Sequence, residues 1–284
     1  MASASQRPPG KSLAATPRRP EPERLQCHEV WGGHEATETM ARTAGLDCWT
    51  LTQPCEGDEG GDVFLLSSCS SGRITRALLA DVQGHDEVAV RLAGQLRELM
   101  TQTVDILNQR RLVRRLNRGF ARLQEHERFA SALVASYFQP AGVLSVCNAG
   151  HPAPLLFCSQ DRRWSILEAS PADGRPVSTR ARPLNLPLGI FGSSDYSAFD
   201  VELHDEDLVL LYTDGLIEVT QDDEGRMLDT EGLLRLAQDL DPGHPDELPR
   251  ALLGRVEEWS GSRRHDDDLS IVVLRRNDEA PSLG

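Results

Sequence analysis

Four aspartates, far apart in the chain, stand beside glycines or at the edges of apolar runs. They are Asp62 in Gly60-Gly61-Asp62, Asp81 in Ala80-Asp81-Val82-Gln83-Gly84-His85, Asp214 in Tyr212-Thr213-Asp214-Gly215, and Asp267 in Asp266-Asp267-Asp268-Leu269-Ser270. Three of them directly follow or precede a short apolar, β-branched run with the character of a buried strand. A carboxylate at the end of a buried strand has to be ion-paired, hydrogen-bonded or bound to a metal. Most of the four have no basic residue beside them, so hard divalent cations, which take oxygen ligands, are the matching partners. The pattern points to metal-assisted hydrolysis.

The order of elements narrows the fold. Strands are expected at 46–51, 62–67 and 74–82, followed by helices at about 86–107 and 109–124. In the first, Leu92, Leu96 and Leu99 share a face; in the second, Leu112, Leu116, Phe120 and Leu123 recur at intervals of three and four. Further strands are expected at 131–139, 143–147, 154–158, 164–167, 197–203 and 208–213. Helices follow at 230–240, with Thr230 as its N-cap, and at 245–259, and a closing strand at 269–275. Strands, two helices, strands, two helices and one strand exclude a regular βαβ repeat and indicate an α+β protein of stacked antiparallel sheets flanked by helices. Residues 1–25, rich in Pro, Ser, Ala, Arg and Glu, read as a disordered tail. The segment 169–187 reads as a surface excursion, and 277–284 as a polar tail.

Composition removes other classes. The formal charge is −14, from 44 acidic and 30 basic residues, which argues against nucleic acid or an anionic membrane surface as the main partner. Cysteines 27, 48, 55, 69, 147 and 158 form no C-x-x-C pair and fit no zinc spacing. No apolar run approaches the roughly 20 residues of a membrane span, and the N-terminus lacks the apolar core of a signal peptide. The expected setting is the cytoplasm, with reduced thiols. The sequence contains no G-x-x-x-x-G-K-[ST], G-x-S-x-G or H-E-x-x-H, so phosphate-loop, serine-hydrolase and zinc-protease chemistry have no foothold.

Taken singly, each aspartate has an ordinary structural explanation. Asp214 suits a turn residue accepting local N–H groups, Asp62 a tight turn, Asp81 a strand end, and Asp267 a solvated acidic loop. Clustered carboxylates repel unless a cation sits among them. Four together, with glycines that let backbone approach a ligand, are harder to explain that way. Asn148-Ala149-Gly150-His151-Pro152 reads as a structural hairpin, with His151 as a turn residue, and Pro187-Leu188-Gly189 as a bend.

The ordered set of motifs resembles the SpoIIE/RsbU-type branch of the PPM (PP2C-like) serine/threonine protein phosphatases. It comprises Gly60-Gly61-Asp62, Ala80 to His85, Phe129-Ala130-Ser131-Ala132-Leu133, Asn148 to Pro152, Pro187-Leu188-Gly189, Leu211 to Gly215 and Asp266 to Ser270. The resemblance spans about residues 45 to 276 and implies a four-layer αββα sandwich within a phosphatase domain at 26–276. It implies that Asp62 and Asp81 bridge or contact a binuclear centre of Mn²⁺ or Mg²⁺. The Val82 carbonyl would be a main-chain ligand, and Asp214 and Asp267 would each serve one metal or its water. His85 is a candidate proton donor to the leaving group. The sequence departs from the family pattern where Val63-Phe64-Leu65 lacks a second acid after Asp62, where Asp86 replaces a small glycine, and where Ser270 replaces threonine.

The implied activity is metal-dependent dephosphorylation of phosphoserine or phosphothreonine on a protein. The implied substrate is a phosphorylated STAS-type anti-sigma-factor antagonist of bacterial partner switching, with an activating protein as a second partner. Two other readings remain open: a catalytically weak pseudophosphatase that regulates by binding a partner, and a hydrolase of small phosphate esters.

Overall fold

Alternation along the strands builds the architecture. The computed structural model describes residues 23–25, 29–69, 72–123, 128–168, 185–221, 225–262 and 265–278. Residues 1–22 of the tail expected at 1–25, most of the 169–187 excursion and residues 279–284 lie outside these, whereas Glu23–Arg24 of that tail is not disordered but pairs as a strand with Ala41–Arg42. The strands are β1 (Glu23–Arg24), β2 (Val30–Trp31), β3 (Thr37–Arg42), β4 (Leu46–Gln53), β5 (Asp62–Cys69), β6 (Ile74–Val82), β7 (Ala130–Phe138), β8 (Val143–Ala149), β9 (Leu155–Cys158), β10 (Arg163–Ile166), β11 (Phe199–Glu202), β12 (Leu208–Tyr212) and β13 (Leu269–Arg276). The helices are α1 (Glu87–Thr103), α2 (Gln109–Leu123), α3 (Asp229–Ala237) and α4 (Leu248–Ser260). Among the described residues the strands form a seven-stranded sheet, β1-β3-β4-β13-β12-β9-β10, and a six-stranded sheet, β11-β8-β7-β6-β5-β2. Every pairing is antiparallel except β1 with β3.

Successive side chains of a strand face opposite ways, and in both sheets each face is buried. Phe64, Leu66, Leu79 and Leu133 of the six-stranded sheet meet Cys48, Val209, Leu211 and Val272 of the seven-stranded sheet in the layer between them. The intervening residues Val63, Leu65, Leu78 and Ala80 face α1 and α2, packing on Leu92, Leu96, Leu116 and Phe120. On the far side, Leu210, Tyr212, Ile271 and Val273 pack on Leu233, Leu252 and Val256 of α3 and α4. The result is the four-layer α-β-β-α sandwich expected from the sequence.

Three local features differ from expectation. Helix α1 stops at Thr103 rather than near Leu107, because Arg76 of β6 draws the following main chain onto the sheet. The Arg76 guanidinium is fully buried and donates to the carbonyls of Val104 (2.5 Å) and Ile106 (3.1 Å) and to Ser136 Oγ (2.9 Å). The Ser136 hydroxyl passes on to Gln109 Oε1 at 2.5 Å, which pins the start of α2. The cap of α3 is Asp229 rather than Thr230: the Asp229 carboxylate accepts from the Gly232 N–H at 2.7 Å. Thr230 instead accepts a hydrogen bond from the Tyr212 hydroxyl. Finally, Asn148 to Pro152 is not a hairpin. Strand β8 lies in the six-stranded sheet and β9 in the seven-stranded one, so this segment carries the chain across the sandwich.

Removing the Arg76 fork takes the donor from two buried acceptors, the Val104 carbonyl and Ser136 Oγ, and from the part-buried Ile106 carbonyl. Arg76→Ala is expected to destabilise the protein by about 2–4 kcal/mol, read as a lower urea midpoint. An unchanged midpoint would mean that the α1–α2 connection is held by apolar packing alone.

Candidate active site

The two sheets bring the sequence-selected aspartates to one end of the sandwich. Asp62 opens β5 and is paired in register with Asp81 on β6, one residue before Val82 ends that strand. Asp214 follows β12 and Asp267 stands just before β13, which is the neighbour of β12. The six-stranded sheet thus supplies Asp62, Asp81 and Val82, and the seven-stranded sheet supplies Asp214 and Asp267. Asp62 and Val82 are buried and Asp81 is half-buried.

Glycines are required where these ends meet. A Cβ on Gly61 would lie 2.9 Å from the Val82 carbonyl oxygen and 3.0 Å from that of Gly84. A Cβ on Gly215 would lie 2.1 Å from the Asp268 carbonyl oxygen. No side chain fits at that separation, so the loop after β12 closes on the loop before β13 only with glycine.

Hydrogen bonds divide the neighbouring acids by role. The Thr213 hydroxyl donates to Asp62 Oδ2 at 2.7 Å and accepts from the Ser270 N–H at 2.8 Å, which joins the two sheets through three side and main chains. Asp268 is almost fully buried. Its carboxylate accepts from the N–H of Cys55 (2.8 Å) and of Gly61 (2.6 Å), and so it holds the glycine loop in place. Asp267 Oδ1 accepts from the adjacent Asp268 N–H, and its carboxylate is in electrostatic contact with His85. The consecutive carboxylates therefore differ: Asp268 positions backbone, and Asp267 addresses the cluster. Sequence reasoning did not single out Thr213 or Asp268 for these positions; their signal was only proximity to a marked aspartate.

The electrostatics record the crowding. Burial raises the Asp62 carboxyl well above its ordinary value, opposed by hydrogen bonds from Thr213 and Ser270 and reinforced by Asp268 and Asp214. Burial raises Asp81 likewise, with Asp62, Asp214, Asp267 and Asp268 adding to it. Asp214 is pushed up to about 6 by burial and by the Asp267 and Glu218 charges. Asp267 is raised by burial, with the Asp268 N–H and His85 acting against it. Among the described residues, no three His, Cys, Asp or Glu side chains form a ready-made metal cage. Mg²⁺, however, keeps several waters and takes one or two carboxylates rather than an all-protein cage. The donor set is oxygen throughout, its charges repel, and it fits Mg²⁺ or Mn²⁺ on both counts.

The histidines separate. His85 is exposed beside Asp267. His151 is buried, its Nδ1 lies 2.6 Å from Ser131 Oγ, and burial pushes it down to about 3. It is a neutral packing group. Asn148 fixes its loop, donating to the His151 carbonyl at 2.7 Å and accepting its N–H at 2.8 Å. Asp86, one of the departures from the family pattern, caps α1 by accepting the Ala89 N–H at 3.0 Å. It also pairs with Arg128, whose other nitrogen donates to the Gln83 carbonyl at 2.8 Å. Leu65, a second departure, is buried beneath α1 and α2.

Residues 71–277 match the family model of Stage II sporulation protein E (SpoIIE). The chain belongs to the SpoIIE family. It is similar to the phosphoserine phosphatase RsbU of Bacillus subtilis (strain 168), with 23% identity over 232 residues, covering 81% of this chain and 63% of RsbU. It thus spans less than two thirds of that relative's length. Its fold is shared with the RsbU and RsbW domains of Rv1364c from Mycobacterium tuberculosis, with a TM-score of 0.67, 22% identity, and 88% of this chain and 64% of that one covered. It is also shared with RsbX solved in complex with magnesium, with a TM-score of 0.58, 14% identity, and 85% of this chain and 100% of RsbX covered. Among the described residues of this SpoIIE-family chain, no helix is long and apolar enough to cross a membrane.

The raised carboxyls have a definite sign in stability. From the ordinary aspartate value of 3.8, burial and neighbouring charge push folded Asp214 up to about 6, and Asp62 and Asp81 are raised as well. The folded state then binds more protons across this window, so stability falls as pH rises through it. In chelator-treated protein the urea midpoint is expected to drop between about pH 4 and pH 6. A midpoint that rises there would show that the cluster does not crowd its charges.

Proposed function

We infer that this chain is a metal-dependent phosphoprotein phosphatase acting on phosphoserine or phosphothreonine. The observation that carries the reading is the meeting of Asp62, Asp81, Asp214 and Asp267 from both sheets, with carboxyl groups raised by burial and mutual repulsion. Membership of the SpoIIE family supports it. Asp62, Asp81 and the Val82 carbonyl, with Asp214 and Asp267, would hold two divalent cations, Mn²⁺ or Mg²⁺. When bound, such ions acidify water and neutralise charge on a phosphoryl group.

The chain's own residues do the positioning. Thr213 and Ser270 orient Asp62 from across the sandwich, Asp268 fixes the glycine loop, and Arg128 with Asp86 fixes the Gln83–His85 turn. His85, exposed beside Asp267, is the proposed proton donor to the departing serine or threonine oxygen. His151, buried and neutral, is not. Among the described residues, burial pushes the thiols of Cys48, Cys55 and Cys147 up, in keeping with attack by water rather than by a protein thiolate. The proposed substrate is a phosphorylated STAS-type anti-sigma-factor antagonist, with an activating protein as a further partner; similarity to the phosphoserine phosphatase RsbU supports the phosphoserine part of that reading. The departures at Asp86 and Leu65 are accounted for by capping and packing, so they lend little weight to a pseudophosphatase.

The test is turnover of p-nitrophenyl phosphate and of a phosphoserine peptide, with Mn²⁺, with chelator, and in Asp214→Ala. Activity is expected to need the metal and to vanish in the variant. Folded, metal-loaded protein with no turnover of either substrate, with and without the activator, would overturn the reading. Faster turnover of the small ester than of the peptide would redirect it to small phosphate esters. Thr213→Ala removes the outer support of Asp62, and a loss of about 10–100-fold in kcat/KM or metal affinity is expected. An unchanged value in that variant would remove Thr213 from the site.

A further inference from the structure

Helix α2 breaks the charge pattern of the molecule. In a chain of net charge −14, its sequence QRRLVRRLNRGFARL contains six arginines and no acid. Its apolar side, Leu112, Val113, Leu116 and Phe120, is buried against the six-stranded sheet, which turns the arginines outward. Arg110, Arg111, Arg115, Arg118 and Arg122 are exposed and, among the described residues, make no ion pair. Arg114 reaches Asp195 at 3.1 Å, a pair open to solvent.

This arrangement works against the helix. Arg110 and Arg114, Arg111 and Arg115, Arg114 and Arg118, and Arg118 and Arg122 are like-charged pairs at i,i+4, the spacing at which repulsion disfavours a helix. Arg110 and Arg111 also sit in the first turn, where the helix dipole favours acids. The remaining helices each mix both signs.

Apolar side chains border the same helix. The exposed large hydrophobic residues among the described ones are Leu107, Phe138, Ile190, Phe191 and Met227, and all but Met227 lie beside α2. Leu107 and Phe138 line a cavity of about 550 Å³ together with Asn108, Gln109 and Arg110 at its first turn. Ile190 and Phe191 belong to a loop fastened to its middle, where Asn117 Nδ2 donates to the Phe191 carbonyl at 2.8 Å and Asn117 Oδ1 accepts the Gly189 N–H at 2.9 Å. Arginine and aromatic side chains grouped in this way are the composition of a protein interface.

We propose that the outer face of α2, with Leu107 and Phe138 at one end and Ile190 and Phe191 along its flank, docks an acidic amphipathic segment of another protein. Charge decides the occupant. Of the chain's own segments outside the described residues, the two long ones are basic, with Arg7, Lys11, Arg18 and Arg19 against Glu21 in 1–22, and Arg175, Arg180 and Arg182 against Asp173 in 169–184, while the acidic ones, 124–127, 222–224 and 279–284, are too short to cover a 15-residue helix. Neither complements the helix. The acidic whole disfavours approach to anionic lipid or nucleic acid, whereas a protein segment brings carboxylates to the arginines and apolar groups to the flanking sites together. The surface lies outside the carboxylate cluster, and its test reads binding rather than turnover, so it stands independently of the phosphatase reading.

The experiment measures binding of a labelled helical peptide of glutamate and leucine to the full chain. Parallel titrations use a glutamate-only peptide, phosphatidylglycerol vesicles and duplex DNA. The glutamate–leucine peptide is expected to bind with affinity that falls as salt rises. Binding should weaken by at least about tenfold in R111E/R115E/R118E and again in L107S/F191S. Both variants change exposed residues, and circular dichroism checks that they fold. If either is unfolded, the single change Arg115→Glu carries the same comparison. No peptide binding, equal binding by the folded variants, equal binding of the glutamate-only peptide, or tighter binding of vesicles or DNA would each overturn the proposal.

Discussion

Repulsion between buried carboxylates is the force that the site end of this sandwich is built to withstand. Asp62 and Asp81 face each other as register partners on β5 and β6, and Asp214 and Asp267 come against them from the other sheet. Left alone, such a cluster would pry the sheets apart. What holds them are two polar ties across the interface, Thr213 to Asp62 and Asp268 to the Gly61 N–H, each anchored within the seven-stranded sheet, Thr213 by the Ser270 N–H and Asp268 by the Cys55 N–H. These ties sit directly beneath the charges they hold together. The carboxyl groups stay raised despite these ties, because burial and mutual repulsion outweigh the donors that reach them.

The same physics explains why consecutive aspartates do different work. Asp268 is buried and satisfied by two main-chain donors, so its charge is committed to holding backbone. Asp267 faces His85 and the other carboxylates, so its charge remains available. The acids that differ from the family pattern follow the same rule. Asp86, exposed at the start of α1, is held below the usual carboxylate range by the Ala89 N–H and by Arg128. It thereby steadies the turn that follows Val82. Position 65, facing the helices rather than the cluster, is filled by a leucine that packs.

The helix layers show a comparable division. Where α1 and α2 are joined, the buried Arg76 substitutes hydrogen bonds for a longer helix and fixes where α2 begins. From that point α2 buries leucines on one side and gathers arginines on the other, at a cost to its own stability that packing against the sheet offsets. A helix with this many like charges forms because its apolar side is secured by tertiary contact. Its outer side is therefore free to carry a pattern unfavourable to an isolated helix.

Much of this was legible in the chain. Continuous apolar runs gave β5, β6, β12 and β13 their two buried faces, the three-and-four spacing gave α1 and α2, and the strand-end aspartates marked the site, because each of these signals is local. Strand β3 was missed because Thr37, Glu38 and Arg42 give it a polar composition with little apolar alternation. The hairpin expected at Asn148 to Pro152 proved to be a crossing between sheets, since a turn motif records the bend and not the destination. Thr213 and Asp62 are 151 residues apart, and Asp268 and Gly61 are 207 apart. The sequence by itself determined which residues are strand, helix and candidate ligand. Only the tertiary structure decided which carboxylate faces the cluster and which holds the backbone, because that choice depends on donors brought close by folding and not by neighbourhood in the chain.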